Sequence, residues 1–386
     1  MAVLNLSAAI ACSDRRIPNF CAPPRCFVFP MVHFAVFVVV LHALCCFSGG
    51  GAARPFNNSI SAILVFGDST VDSGNNNYVE TVFRSNYPPY GRSFANGVPT
   101  GRFSDGRLVT DFIASYTGIK EYVPPYLNPR LSTGELMTGV SFASAGSGFD
   151  PLTAQLSNVI PIEKQVEYFK EYKQKVAAAV GKKRAQAHIN KAVFVVSAGT
   201  NDLVFGYPVR RQTYNVAAYL NFLLQNTRRL IQELSDEGAR FIAVVSLPPI
   251  GCLPLVITFT NIDFLGNRHC NGALSTIATD YNLKLRNMLA SLQNAAASVL
   301  IYADIYTSLN DLIQQASRFG FDSANAGCCG TGLVEASILC NPVTPVCLNP
   351  SKYVFFDSVH PTQETYKHLF DSLRPTIDNA IKKYHL

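Results

Sequence analysis

The chain has 386 residues, 48% of them hydrophobic and 15% charged, which excludes a disordered protein and fits one or two folded domains. Its formal charge of +6 comes from 32 basic and 26 acidic residues scattered along the chain. No basic run is interleaved with aromatics, which argues against a nucleic-acid partner.

The elements begin with an address. Met31 opens "MVHFAVFVVVLHALCCFSGGGAARP", an apolar run followed by small residues ending at Ala52-Ala53. This is the shape of a secretory signal peptide cleaved near Ala53, with translation starting at Met1 or at Met31. A signal anchor is the rival, but the run 32–47 contains His33 and His42 and falls short of the roughly 20 apolar residues of a span. Elsewhere no apolar stretch approaches that length, so the mature form is expected to have no stable membrane span. Residues 1–53 are therefore read as an extension and signal peptide, and 54–386 as one domain. Loss of Arg15, Arg16, Arg25 and Asp14 would leave that domain mildly basic. Asn57-Asn58-Ser59 adds a glycosylation sequon.

Of 11 cysteines, Cys12, Cys21, Cys26, Cys45 and Cys46 fall in the discounted segment, leaving Cys252, Cys270, Cys328, Cys329, Cys340 and Cys347. An even number in an exported chain points to disulfides, which sequence leaves open among fifteen connectivities. Cys252 with Cys270 and two bridges within 328–347 are favoured, the neighbours Cys328 and Cys329 not bonding each other. No Cys-x-x-Cys pair or neighbouring His supports a zinc site.

Along the domain, apolar runs at 62–66, 140–143, 192–197, 241–246 and 299–302 are each followed by turn residues, as buried parallel strands would be. Between them, 105–117, 161–180, 213–237 and 271–294 carry helical patterns. A last helix runs from 363 toward 384, expected to kink or break at Pro375. Strands alternating with helices predict a doubly wound α/β domain. The stretch 320–352, with four cysteines, reads as a stapled surface excursion.

In such sheets functional groups sit at the carboxyl ends of the strands. Four polar clusters fall there or before the last helix: Gly67-Asp68-Ser69, "SFASAGSG" with Gly146 and Gly148, Gly199-Thr200-Asn201-Asp202, and Asp357-Ser358-Val359-His360-Pro361. Singly each is an ordinary turn or a helix cap. Their conjunction, in this order, carries the signal.

With "FGDSTVDSGNN", "PPYGRSF", "TGRFSDGR", "FASAGSG", "VSAGTND", "PPIGCLP", "GCCGTG" and "FFDSVHPT", the set resembles the GDSL esterase/lipase family of SGNH hydrolases in its secreted plant form. The likeness runs from about Ala62 to the final helix, with Thr70 where the family has Leu and Ser141 where many relatives have Asn. It implies a single-domain, three-layer α/β/α sandwich with a five-stranded, mainly parallel, flavodoxin-like sheet. It implies a Ser69–His360–Asp357 triad, with Ser69 N–H, Gly146 N–H and the Asn201 amide as oxyanion donors and Asp68 structural. No cofactor or metal is implied. The expected substrate is a small-molecule or lipid ester, and the expected protein a monomer secreted to the cell wall or apoplast.

Three other readings stand beside ester hydrolysis. An acyltransferase would use the same triad, a metal-dependent phosphoesterase would draw Asp68, Asn201, Asp357 and His360 round two ions, and a binding protein would keep the fold without turnover. The α/β-hydrolase fold is excluded, because no serine has glycine at both −2 and +2. Tyr87, Tyr90, Phe94, Phe103, Phe205 and Tyr207 are expected in loops bordering the pocket. His188, His269, His368 and His385 are read as surface groups.

Overall fold

Each strand of the main sheet is a five-residue apolar run, and the computed structural model places them at β1 (Ile63–Gly67), β2 (Val193–Ser197), β3 (Phe241–Val245) and β4 (Val299–Ala303). The structure describes residues 60–260, 267–293 and 297–386; the signal sequence and the Asn57 sequon lie outside them. All pairings are parallel in the order β1-β2-β3-β4, with Ile63 opposite Val193, Val193 opposite Phe241, and Phe241 opposite Val299. Two further short strands, β5 (Ser323–Gly327) and β6 (Tyr353–Phe355), pair in parallel beside the C-terminal site loop.

Six long helices supply the covering layers: α1 (Val109–Tyr116), α2 (Ile162–Val180), α3 (Val216–Asp236), α4 (Gly272–Gln293), α5 (Tyr306–Gln314) and α6 (Gln363–Tyr384). One layer is built from α2, α3 and α4, the other from α1, α5 and α6. Strand side chains alternate between the two. Leu64, Phe66, Phe194, Val196, Ile242 and Val244 are buried toward the first layer. There Phe66 stacks on Phe142 at 5.0 Å and Phe194 meets Phe169 of α2 edge-on at 5.3 Å.

The expected doubly wound α/β arrangement is therefore present, but the sheet has four strands and not five. The run 140–143 does lie beside β1: Val65 N–H donates to Val140 O at 3.1 Å and Phe142 N–H to Val65 O at 2.7 Å. It makes only isolated bridges, from Ser141 to Val65 on one side and to Pro125 on the other. The cause is local. Gly139 approaches Ile63 so closely that a Cβ would lie 2.0 Å from Ile63 O, and the Ser141 hydroxyl turns back to donate to Val71 O at 2.9 Å. Counting this segment as the outer position, the order is the 2-1-3-4-5 of flavodoxin-like sheets.

The last helix also departs from expectation. It runs through Pro375 as one element, because Leu369, Phe370 and Leu373 before the proline and Ile377 and Ile381 after it all pack on the core. That burial offsets the hydrogen bond proline cannot donate.

Gly67 ends β1 at φ +139°, and a Cβ there would lie 1.8 Å from Ser197 O of the paired strand. We expect Gly67→Ala to destabilise the protein by about 3 kcal/mol or more. Gly97→Ala, at φ +63° with nothing near the new methyl, should cost only about 1 kcal/mol. Urea unfolding of the two variants checks the contrast.

Candidate active site

Beyond Gly67 the chain turns sharply. Asp68 N–H donates to Ser197 O at 2.9 Å, and Val71 N–H closes the turn on Asp68 O at 3.2 Å. The Asp68 carboxylate accepts from Thr70 N–H at 3.0 Å and from the Thr70 hydroxyl at 2.8 Å. Thr70 Oγ also lies 2.9 Å from Ser197 Oγ, so this departure from the motif ties the turn to β2. Gln165 of α2 clamps the strand end from both sides, accepting from Gly67 N–H at 2.8 Å and donating to Gly67 O at 2.9 Å. Ser69 is left at the apex, only 6% exposed.

The polar crowd after the serine has a definite task. Asp72 accepts from the N–H groups of Gly74 and Asn75, each at 2.7 Å, and from Ala145 N–H at 3.0 Å. Asn75 donates to Ser141 O and Ala143 O, both at 2.8 Å, and Asn76 to Ala145 O at 2.9 Å. These side chains supply the ladder bonds that the irregular 140–145 segment would otherwise lack.

From the other end of the chain comes the loop between β6 and α6. Asp357 Oδ1 accepts from Val359 N–H at 2.8 Å and His360 N–H at 2.7 Å. His360 Nδ1 lies 2.7 Å from Asp357 Oδ2, and its Nε2 lies 2.8 Å from Ser69 Oγ. Ser69, His360 and Asp357 thus form one hydrogen-bonded line, buried throughout. Phe103 packs on the imidazole with ring centroids 4.7 Å apart.

A fourth donor to Asp357 is Tyr90, whose buried hydroxyl lies 2.8 Å from Oδ2 and accepts from Ser337 N–H at 2.8 Å. Ser337 belongs to the cysteine-rich stretch, which is therefore more than a surface excursion. Its bridges are Cys328–Cys347 and Cys329–Cys340, a choice the sequence left open; Cys252–Cys270, elsewhere, is the pair favoured from sequence. Cys328, Cys329 and Cys340 are buried against Tyr90, Phe103 and Phe356. Glu335 O accepts from Ser358 N–H at 2.8 Å, and Gly327 sits where a Cβ would strike Asp357 O at 2.5 Å. The stapled segment buttresses the Asp357 loop.

After β2, Asn201 donates through Nδ2 to Ser147 O at 2.9 Å, joining the second and third clusters. Gly146, the residue before, holds φ +87°. Asp202 collects Phe149 N–H at 2.7 Å, Asp150 N–H at 3.0 Å and the Thr153 hydroxyl at 2.6 Å. Gly148 lies so close that a Cβ would fall 2.2 Å from that carboxylate. Sequence reasoning missed Tyr90, Gln165, Asp72 and Asp202 as supports of the site; only the motifs around them hinted at it.

Other expectations need correction. None of the six aromatics expected at the pocket lines the cavity that holds Ser69. Tyr90 and Phe103 are core residues under the disulfide loop, Tyr87 packs edge-on to Tyr90, and Phe205 and Tyr207 pack on Phe83 and Tyr219. Phe94 lies in a separate surface cleft beside Tyr122. His188 is buried, its Nε2 3.1 Å from Tyr172 OH, and burial lowers its pKa. His368 is partly buried between Phe319 and Phe321, while His269 and His385 are exposed. The four side chains of the metal reading are each engaged by protein partners, and no group of three or more His, Cys, Asp or Glu among the described residues is placed to hold an ion.

With this geometry in hand, kinship is informative. Residues 63–373 match the family described as GDSL-like lipase/acylhydrolase. GDSL esterase/lipase At5g45960 of Arabidopsis thaliana is 54% identical over 333 residues, covering 85% of this chain and 89% of that one. GDSL esterase/lipase At2g40250 and GDSL esterase/lipase APG, from the same plant, are each 46% identical, over 313 and 314 residues. The first of these alignments covers 80% of this chain and 87% of the relative, the second 80% and 88%. The α/β fold and these relatives define the class, an ester hydrolase. The chain belongs to the GDSL esterase/lipase family.

Burial raises three carboxyls from their usual value near 3.8: Asp68 and Asp72 to about 6, and Asp202 to about 7. Each binds its proton more tightly folded than unfolded, so its stabilising contribution is full below the unfolded pKa and lost as pH rises through 6 to 7. Glu335, pulled down to about 2 by its hydrogen bonds despite burial, acts oppositely only below about pH 4.5, and His188, lowered by burial, is one imidazole set against the three carboxyls as pH falls below about 6.5. The melting temperature is expected to be several degrees higher at pH 5 than at pH 8, as calorimetry across that range would show.

Proposed function

We propose that the protein is a secreted serine esterase that hydrolyses carboxylic esters through an acyl-enzyme on Ser69. The observation that carries this reading is the line from Ser69 Oγ through the His360 imidazole to Asp357, at 2.8 and 2.7 Å. With Nδ1–H donating to Asp357, Nε2 presents its lone pair to the Ser69 hydroxyl. The hydroxyl attacks the ester carbonyl as its proton passes to Nε2. The tetrahedral intermediate collapses, the bond to the alcohol oxygen breaks, and the alcohol leaves with that proton. Water then repeats the sequence on the acyl-enzyme, releasing the carboxylic acid and restoring Ser69. Asp357 holds the tautomer and stabilises the imidazolium formed in each half.

The oxyanion is met by Ser69 N–H, Gly146 N–H and the Asn201 amide. One N–H of that amide is committed to Ser147 O, which fixes its plane; the other is left for the oxyanion. Such donors are worth about 2.7–4 kcal/mol each. Export is supported by the apolar leader ahead of Ala53 and by three disulfides in the domain taken to begin at residue 54.

Ser69→Ala is expected to lower kcat on p-nitrophenyl butyrate by about 10⁴-fold or more. A fluorophosphonate should label wild-type Ser69, with or without a chelator. A Ser69→Ala rate equal to wild type ends this reading. Tyr90→Phe removes a charge-assisted bond to Asp357, so kcat should fall about 10- to 100-fold with KM little changed. Steady-state kinetics on the same ester separate the two parameters.

A further inference from the structure

The two faces of the sheet are not equally filled. On β3, Ile242 and Val244 are almost fully buried against the first helical layer. Phe241, Ala243 and Val245 face the second layer and stay only partly buried although α6 lies over them. Interior strands normally pack both faces to crystal-like density. α6 meets the sheet where Tyr384 packs on Phe241, rings 6.0 Å apart, and along the rest of their contact lies a hollow whose walls include Leu369, Leu373, Ile377 and Ile381.

The hollow opens at the site. Ser69, Thr200 and Asn201 stand at one end, Ile60 and Leu386 at the other, and the wall between is almost wholly apolar. It contains about 1380 Å³ of atom-free space, open mouth included. Its walls run the length of β1, from Ile60 and Ile63 to Ser69. The floor from Phe241 to Val245 spans about 13 Å, and the roof from Tyr366 to Ile381 about 22 Å. An extended chain advances about 1.2 Å per bond, so about 11 to 18 bonds fit.

We propose that this hollow is the acyl-chain site, taking a saturated chain of about 12 to 18 carbons beneath the sheet while the ester carbonyl sits at Ser69. The proposal rests on Ser69 being the nucleophile. The leaving alcohol takes its proton from His360 Nε2 and so departs on the imidazole side. That ring is packed on Phe103 and lies outside the wall of the hollow, which leaves the hollow to the acyl half of the ester. A cavity this largely apolar, with the Thr117 and Thr376 side chains the polar exceptions away from the Ser69 end, suits an alkyl chain.

The test plugs the hollow away from the chemistry, with Ala243→Leu on the floor and Ala380→Phe on α6. In wild type, kcat/KM for p-nitrophenyl tetradecanoate in mixed micelles should exceed that for the butyrate at least tenfold. Each plug should lower the tetradecanoate-to-butyrate ratio at least tenfold, while Lys383→Ala on the exposed side of α6 leaves the ratio alone. Because the plugs fill empty space, their melting temperatures should be unchanged or raised. A fall in both would mean a core already full and overturn the proposal. So would well-folded plugs with an unaltered ratio. A second arm is independent of turnover: Ser69→Ala should bind tetradecanoic acid by calorimetry, and Ser69→Ala with Ala243→Leu should not. If wild type hydrolyses no ester and Ser69 resists the fluorophosphonate, the esterase reading fails, and this binding arm alone upholds or overturns the hollow as a fatty-chain site.

Discussion

A carboxylate with no solvent around it must have its lone pairs met by donors, or it will not stay charged. Asp357 is fully buried and meets this condition four ways: two backbone N–H groups of its own loop, the His360 ring and the Tyr90 hydroxyl. The backbone pair shapes the loop so that His360 faces Ser69. The tyrosine depends on Ser337, and Ser337 on the disulfide-stapled segment. Ser69 and His360, 291 residues apart in sequence, are thus held together by a chain of bonds from a cross-linked surface segment inward.

The serine side uses a different device. A tight turn with a glycine that admits no Cβ projects the hydroxyl, and Gln165 fixes the strand end beneath it. Asp72, Asn75 and Asn76 then knit the following loop to residues 141–145. Asp202 does the same for residues 149–153. The buried carboxyls here serve backbone N–H groups, which is why burial can raise their pKa without disabling the site.

The residues proposed to react were singled out because each stands in a short motif at a strand end or before the last helix, and the four motifs occur in one order. Their supports were not. Tyr90 looked like a pocket aromatic because nothing local tells that a loop 247 residues away will cover it. His188 looked like a surface group because its partner, Tyr172, lies 16 residues earlier on the preceding helix, and only the way the two helices fold back on each other brings the rings together. The fifth strand failed for a reason that periodicity cannot register: 140–143 has the apolar composition of a strand, but Ser141 spends its hydroxyl on Val71 and its carbonyl on Tyr126 and Asn75. The hollow was invisible for the same reason. Alternation along 241–245 reads as two buried faces, and only the placement of α6 decides that one of them fronts empty space.

The account joins one nucleophile to one apolar channel, and a single crystal structure addresses both. The protein would be inactivated with a tetradecyl phosphonate carrying a good leaving group. The prediction is phosphorus bonded to Ser69 Oγ, a phosphonyl oxygen within hydrogen-bond distance of the Asn201 amide, and the alkyl chain running past Ala243 toward Leu386. Phosphorus on another residue, or an alkyl chain lying on the outer surface, would contradict it.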